Sequence, residues 1–250
     1  MMGLADHICE RASIGQVVVS PLDEGKDPEL MAEFEDLSDD EFKKRSLRYY
    51  AERDVFAFST ILSLNWNLKR GKRQLPFLKS IQDYAISKSN KHCNKGQMQE
   101  FKRILDTKNV GLLMAERMIN LPAEIVPCLH TELPEDLAFT KEQDDIENPK
   151  EFDYDYLLVL SRYTIPVKQS DGDPAAASEK LYYKWEDTVL WPASDISFTF
   201  KATFRQLDAE GNKVSVTGSQ DGREYQCRLI YLIKYDRYLQ EIKKLAPMTR

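Results

Sequence analysis

The sequence has little of what most catalytic and metal sites are built from. Its three histidines, His7, His92 and His130, occur in no Gly-x-Ser-x-Gly or comparable nucleophile context. Its four cysteines, Cys9, Cys93, Cys128 and Cys227, show no Cys-x-x-Cys spacing, and no Asn-x-Ser/Thr acceptor is present. Both suit a reducing cytosol or nucleus. A metal set drawn from His92, Cys93, Cys128 and His130 matches no zinc spacing, because the adjacent His92 and Cys93 diverge on any regular backbone. The expectation is no metal and no cofactor. Positive charge is in deficit: 35 Lys and Arg against 41 Asp and Glu leave a net charge of -6. That argues against a general nucleic-acid binder, whose phosphate contacts demand clustered cations, and makes a basic protein the easier partner. Long apolar runs are missing too, and Met1-Met2-Gly3-Leu4 has neither a basic n-region nor an apolar h-region, so no membrane insertion is expected. Without internal repeats, 250 residues at 42% hydrophobic content predict a single domain over 1–250.

What the chain does have in quantity is acid near its beginning. Asp23, Glu24, Asp27, Glu29, Glu33, Glu35, Asp36, Asp39, Asp40 and Glu41 face Lys26 alone, which predicts a solvated acidic loop over about 21–41. Within it, Ser38-Asp-Asp-Glu41 is a capping box that opens a helix running to about Arg53. Solubility alone accounts for such a loop. The functional alternative is a mobile polyanion beside an apolar surface, shielding a basic, aggregation-prone client.

Along the chain, Leu4 to Arg11 reads as a helix end and Ile14 to Ser20 as a Val-rich strand. Val55 to Leu64 alternates too little to face water and reads as a central buried strand. A helix follows with Leu75, Leu78, Ile81 and Ala85 on one stripe, widened by Phe77, Tyr84 and Ile86, then a second over Gly96 to Leu105. Val110 to Met114 predicts a short buried strand in which Gly111 removes a side chain where something packs closely. Glu116 and Arg117 then read as a charged bend and an ordinary, partly buried ion pair, and Pro122 as the first residue of a helix. Flexible loops are expected at about 140–151 and 169–179, on either side of a long strand from Tyr154 to Val167. Leu181 to Trp191 and Ile196 to Phe204 read as strands, the second with Ile196, Phe198, Phe200 and Ala202 on one face. Gln226 to Lys234 is the last strand, and Tyr235, Tyr238, Leu239, Ile242 and Leu245 form the inward stripe of a closing helix. This order predicts an α/β (α+β) fold, a mixed central sheet with helices on both faces.

Val110-Gly-Leu-Leu-Met-Ala-Glu-Arg-Met-Ile-Asn-Leu-Pro122 resembles the signature of the BCCIP family of eukaryotic nuclear proteins, with Gly111, Glu116, Arg117, Asn120 and Pro122 as its structural residues. Ile14-Gly-Gln-Val-Val-Val, Asp54-Val-Phe-Ala-Phe-Ser-Thr-Ile-Leu-Ser-Leu-Asn and Arg228-Leu-Ile-Tyr-Leu-Ile extend the resemblance over most of the chain. It implies a fold similar to the GNAT acetyltransferases without their chemistry. It also implies a nuclear escort that shuttles to the cytoplasm and acts in ribosome biogenesis and nuclear export. The clients it implies include a large-subunit ribosomal protein and, in fungi, a phosphatidylinositol phosphate kinase, together with nuclear transport factors. Family members usually carry an acidic tail, a strand and a helix upstream of this start, so an N-terminally shortened member is expected. The rival reading is an acyl-CoA-dependent transferase, because the basic loop Lys69 to Arg73 lies between a strand and a helix N-terminus, where backbone N–H groups hold pyrophosphate. Only Gly71 is small there, and Lys72, Arg73, Gln74 and Leu75 crowd the turn. The same loop reads first as a solvated turn, ahead of a nuclear-import or anion-binding patch.

Overall fold

The computed structural model describes residues 15–19, 55–66, 75–118, 121, 123–142, 148–166, 179–207, 213–217 and 224–245. The acidic loop, its capping box, the basic loop Lys69 to Arg73 and the signature residues Asn120 and Pro122 lie outside them.

The described chain is organised on a seven-stranded mixed sheet. β1 (Gly15–Val19) pairs with β2 (Val55–Ser63), β2 with β3 (Val110–Arg117), and β3 with β4 (Tyr156–Pro166). β4 pairs with β9 (Glu224–Lys234), and β9 with β6 (Ile196–Lys201). Only β3 and β4 run parallel; the short β5 (Leu181–Tyr182) joins β4 antiparallel. The expected mixed sheet is therefore present, with Val55–Ser63 as an interior strand.

Successive residues of the inner strands feed opposite cores, as the two-residue period of a strand requires. Leu62, Leu112, Leu158, Ile230 and Leu232 pack on one face against α1 (Pro76–His92) and α2 (Lys95–Thr107), through Leu78, Ala85, Phe101, Ile104 and Leu105. On the other face Ile61, Leu113, Leu157, Tyr231 and Ile233 meet α4 (Leu133–Lys141), α6 (Tyr235–Glu241) and the 3-10 turn Ile242–Lys244. α3 (Cys128–Thr131) lies on this second side as well, against β2. Each large side chain buried this way contributes about 1.5–3 kcal/mol, enough for both helical layers to hold the sheet between them. Tyr238, Ile242 and Leu245 are buried and Tyr235 and Leu239 pack beside them, as the closing stripe predicts. β6 likewise keeps Ile196, Phe198 and Phe200 inward, and Ala202 just beyond its end is buried too.

Several boundaries differ from the sequence reading. In α1 the expected Leu78 and Ala85 are buried and Leu75, Ile81, Phe77 and Ile86 pack partly buried beside them, but the fully buried line also takes in Gln82 and Ser89. Ser89 is tolerated there because its hydroxyl donates to Ile86 O of its own helix at 2.9 Å. α2 starts at a reciprocal capping box: Asn94 Oδ1 accepts from Gln97 N at 2.9 Å, and Gln97 Oε1 from Asn94 N at 3.4 Å. β3 continues through Glu116 and Arg117, since β2 stays in register to Ala57↔Arg117; there is no charged bend. After it come a 3-10 turn, Ala123–Ile125, and the separate α3 and α4, not one helix from Pro122. Leu181 to Trp191 is not a strand. After β5 the chain turns into α5 (Asp187–Leu190), which lets the adjacent Glu186 and Asp187 both bury on the same side of the sheet, a placement that strand alternation forbids. Finally, Ile196 to Phe204 divides: β6 leaves β9 after Lys201↔Cys227, and β7 (Thr203–Leu207) pairs with β8 (Lys213–Thr217) as a separate hairpin.

Candidate functional site

The parallel pair at the centre of the sheet does not stay together. β3 and β4 keep register for four residues, Val110–Leu113 against Tyr156–Val159, and then part. β3 continues along β2 and β4 continues along β9, while β5 enters beside β4 only at Tyr163 and Thr164. Carboxyl ends of neighbouring parallel strands are where open α/β sheets form crevices. Here the parting opens a groove of about 770 Å³, lined among others by Tyr84, Glu116, Arg117, Arg162, Lys184 and Arg228.

Gly111 sits where the strands are still paired. A Cβ at this position would lie 2.6 Å from Ile61 Cγ2, 3.0 Å from Leu157 Cδ2 and 3.1 Å from Tyr154 Cδ1, so the glycine allows β2, β4 and the turn before β4 to close over β3. This is the close packing that the sequence predicted at this residue.

Glu116 and Arg117 alternate to opposite faces and do not pair with each other. Glu116 turns into the groove, where Lys184 Nζ donates to its Oε1 at 2.7 Å. Arg117 turns the other way: its Nη1 donates to both carboxylate oxygens of Glu186 at 2.8 Å, and Nη2 to Tyr183 O at 3.4 Å. The Arg117 side chain is 12% exposed and that of Glu186 2%. His130 Nε2 lies 3.5 Å from Glu186 Oε1, and its Nδ1 is 3.2 Å from Tyr238 Oη. Burial pushes the Glu186 carboxyl upward, but the His130 contact and the charges of His130 and Arg117 outweigh it and hold the group at about 2.

The neighbouring carboxylate behaves in the opposite sense. Asp187 accepts from the hydroxyls of Ser161 and, at 2.8 Å, of Tyr231. Burial raises its carboxyl, and the charge of Glu186 adds to the rise. Against the two hydroxyl donors and Lys184, the group comes to about 6. Two adjacent acids thus differ widely in proton affinity because Glu186 has the Arg117 guanidinium and the His130 ring in direct contact, whereas the groups bonded to Asp187 are hydroxyls. Together they fasten the 181–191 segment to β3, β4 and β9. Ser161 is committed to Asp187 and His130 to Glu186, so the serine and histidine do not form a nucleophile–base pair.

Of the predicted signature residues, the structure therefore brings Glu116 and Arg117 to the lining of the groove and leaves Gly111 in the stretch where β3 and β4 are still paired. His92 and His130 lie on opposite sides of the sheet: His92 stacks on Phe200 at 4.7 Å and His130 meets Tyr238. Among the described residues no group of three His, Cys, Asp or Glu side chains is arranged to hold a metal ion, and no helix is long and apolar enough to cross a membrane. Sequence reasoning missed Ser161, Glu186, Asp187 and Tyr231. The available signal was an acidic doublet inside the apolar, aromatic stretch Leu181 to Trp191, where a buried carboxylate needs a cation or donors.

Comparison with known proteins agrees with the signature. BCP1 of Debaryomyces hansenii is 26% identical over 189 residues, covering 65% of this chain and 58% of its own. The BCCIP homolog of Drosophila melanogaster is 25% identical over 199 residues, covering 79% of this chain and 58% of its own. The crystal structure of BCP1 from Saccharomyces cerevisiae is similar at 21% identity and a TM-score of 0.46, over 78% of this chain and 63% of that one. The chain thus spans less than two thirds of the length of these relatives. The BCCIP family model matches residues 1–190, which include β1 to β5, the signature strand with its glycine and the Glu186–Asp187 doublet, and the chain belongs to the BCCIP family.

Proposed function

We propose that this BCCIP-family chain is a non-enzymatic nuclear escort and adaptor that shields a basic client and shuttles between nucleus and cytoplasm. The observation that carries the reading is the run of ten acids from Asp23 to Glu41, opposed by Lys26 alone, placed between the first two strands of a BCCIP-family body. A polyanionic segment attracts a basic chain over long range and keeps its charges from non-specific contacts, while apolar surface supplies the shorter-range hold. The client class that suits it is a basic large-subunit ribosomal protein, handled during ribosome biogenesis and nuclear export. A phosphatidylinositol phosphate kinase and nuclear transport factors are the further partners of this reading.

The test is association of a purified basic large-subunit ribosomal protein, followed by stopped flow across a salt series. Screening shortens from about 8 Å at physiological salt to about 3 Å at 1 M, so association should slow steeply. Replacing the ten acids by Ser or Asn should lower the rate and remove most of the salt slope, with circular dichroism confirming the fold. Equal rates and slopes for the two proteins would reduce the tract to a solubility device and overturn the reading.

A further inference from the structure

The groove between β3 and β4 carries a charge arrangement that the fold does not require. Arg162 and Arg228 are direct cross-strand partners in the β4–β9 pairing, so both side chains leave the same face of the sheet. Like charges directly opposite destabilise a sheet. Among the described residues neither guanidinium has a carboxylate partner: Arg162 lies over the Tyr183 ring at 4.2 Å, and the charge of Arg228 acts on the Tyr84 hydroxyl. Among the described residues the groove's lining carboxylate, Glu116, is taken by Lys184, and Arg117 is taken by Glu186. Among the described residues, two guanidinium groups therefore stand without a carboxylate in a groove of a chain whose net charge is -6.

The remaining lining narrows the ligand. Leu181 and Met118 are 66% and 57% exposed, and the rings of Tyr84 and Tyr183 are also partly open to solvent. Inorganic phosphate satisfies the arginines and leaves this apolar surface wet. A nucleic acid brings closely spaced phosphates against a net negative surface. An acidic protein segment with interspersed apolar side chains satisfies both parts, since planar guanidinium groups receive carboxylates in fixed geometry and Leu or Phe covers the apolar rim. We infer that the Arg162–Arg228 groove is a docking site for an acidic, partly apolar segment of a partner protein. This inference does not depend on the basic client proposed above.

The probe is a short fluorescein-labelled peptide rich in Glu with interspersed Leu and Phe, titrated with the full chain by anisotropy. Saturable binding is expected, and the Arg162→Gln/Arg228→Gln double variant should weaken it about tenfold or more, each charged pair to a carboxylate being among the stronger contacts available. Lys234→Gln, exposed at the far end of β9, should leave it unchanged. Arg228→Gln alone should also keep or raise the melting temperature of the free protein, because it removes repulsion and no structural partner. The titration is repeated on the variant with neutral residues at Asp23 to Glu41, so that the chain's own acids do not compete. Absence of binding in both proteins, or equal binding by the double variant, would overturn the inference. So would equal binding of the peptide with Gln in place of Glu, equal displacement by inorganic phosphate or a single-stranded oligonucleotide, or a lowered melting temperature for Arg228→Gln.

Discussion

Arg117→Ala tests the energetic centre of the signature. The guanidinium is 12% exposed and its partner carboxylate 2%, so this is not a surface pair of the kind that contributes about 0–1 kcal/mol. Removing it leaves Glu186 buried with only the His130 ring, 3.5 Å away, beside its carboxylate. Breaking one side of a buried pair costs about 3–5 kcal/mol, because the surviving charge keeps its desolvation penalty. At about 2–4 °C per kcal/mol for a chain of this size, the melting temperature should fall by roughly 10 °C. Acidity supplies the check on mechanism. Glu186 is held at about 2 in the folded chain against 4.5 for the free group, which is worth about 3 kcal/mol at neutral pH. A depressed carboxylate gives this stability in full above pH 4.5 and loses it as pH falls toward 2. The variant holds Glu186 less strongly, so the gap between parent and variant should be full at pH 7 and close between pH 4.5 and 2. Urea unfolding followed by circular dichroism at pH 7, 5 and 3 measures both quantities. An unchanged midpoint at pH 7, or a gap that stays constant into acid, would refute the assignment of Arg117 to Glu186.

Asp187 predicts the opposite slope: raised from 3.8 to about 6, its carboxyl favours the folded state most below pH 3.8, and that contribution disappears as pH rises through 6. Asp187→Asn should therefore melt higher than the parent at pH 7.5 and converge with it near pH 4, and parallel melting curves across this range would reject the reading. Gly111→Ala should cost about 1–3 kcal/mol through overpacking against Ile61, Leu157 and Tyr154, with part of the loss recovered by Ile61→Ala. A thermal melt reads both variants, and an unchanged melting temperature for Gly111→Ala would show that β2 and β4 have room to move apart.

Much of the frame was legible because the inner strands and the helices carry strong periods. The alternation of β6, the closing stripe through Tyr238 and Ile242, and the apolar start of β4 from Tyr156 to Leu160 all report burial. Elements failed where local pattern and tertiary demand part company. In α1 the core accepts Gln82 and Ser89, which no apolar stripe announces. The hairpin of β7 and β8 carries a visible alternation in Lys213-Val-Ser-Val-Thr217 after Gly211, but the preceding strand appeared long enough to absorb Phe204. The bend that seemed to end β3 at Glu116 followed from reading two charges as a break in an apolar run, whereas a strand accommodates them by sending one to each face.

The candidate site was half legible for a related reason. Gly111 could be read because the lack of a side chain inside an apolar run already implies a close neighbour, whatever that neighbour is. Arg117 could not be read in the same way, since its partner is 69 residues further along the chain and no spacing rule connects strand residues across a fold. Electrostatics, however, constrains both ends separately. A charge next to a buried strand requires an opposite charge, and Glu186-Asp187 inside Leu181 to Trp191 requires a cation or donors. Two unmet requirements of opposite sign, one in each of two apolar segments, are most simply met by each other. The structure meets both requirements together, pairing Arg117 with Glu186. The Arg117–Glu186 pair ties the end of β3 to the segment that follows β5, beside the groove that opens where β3 and β4 part after Leu113 and Val159.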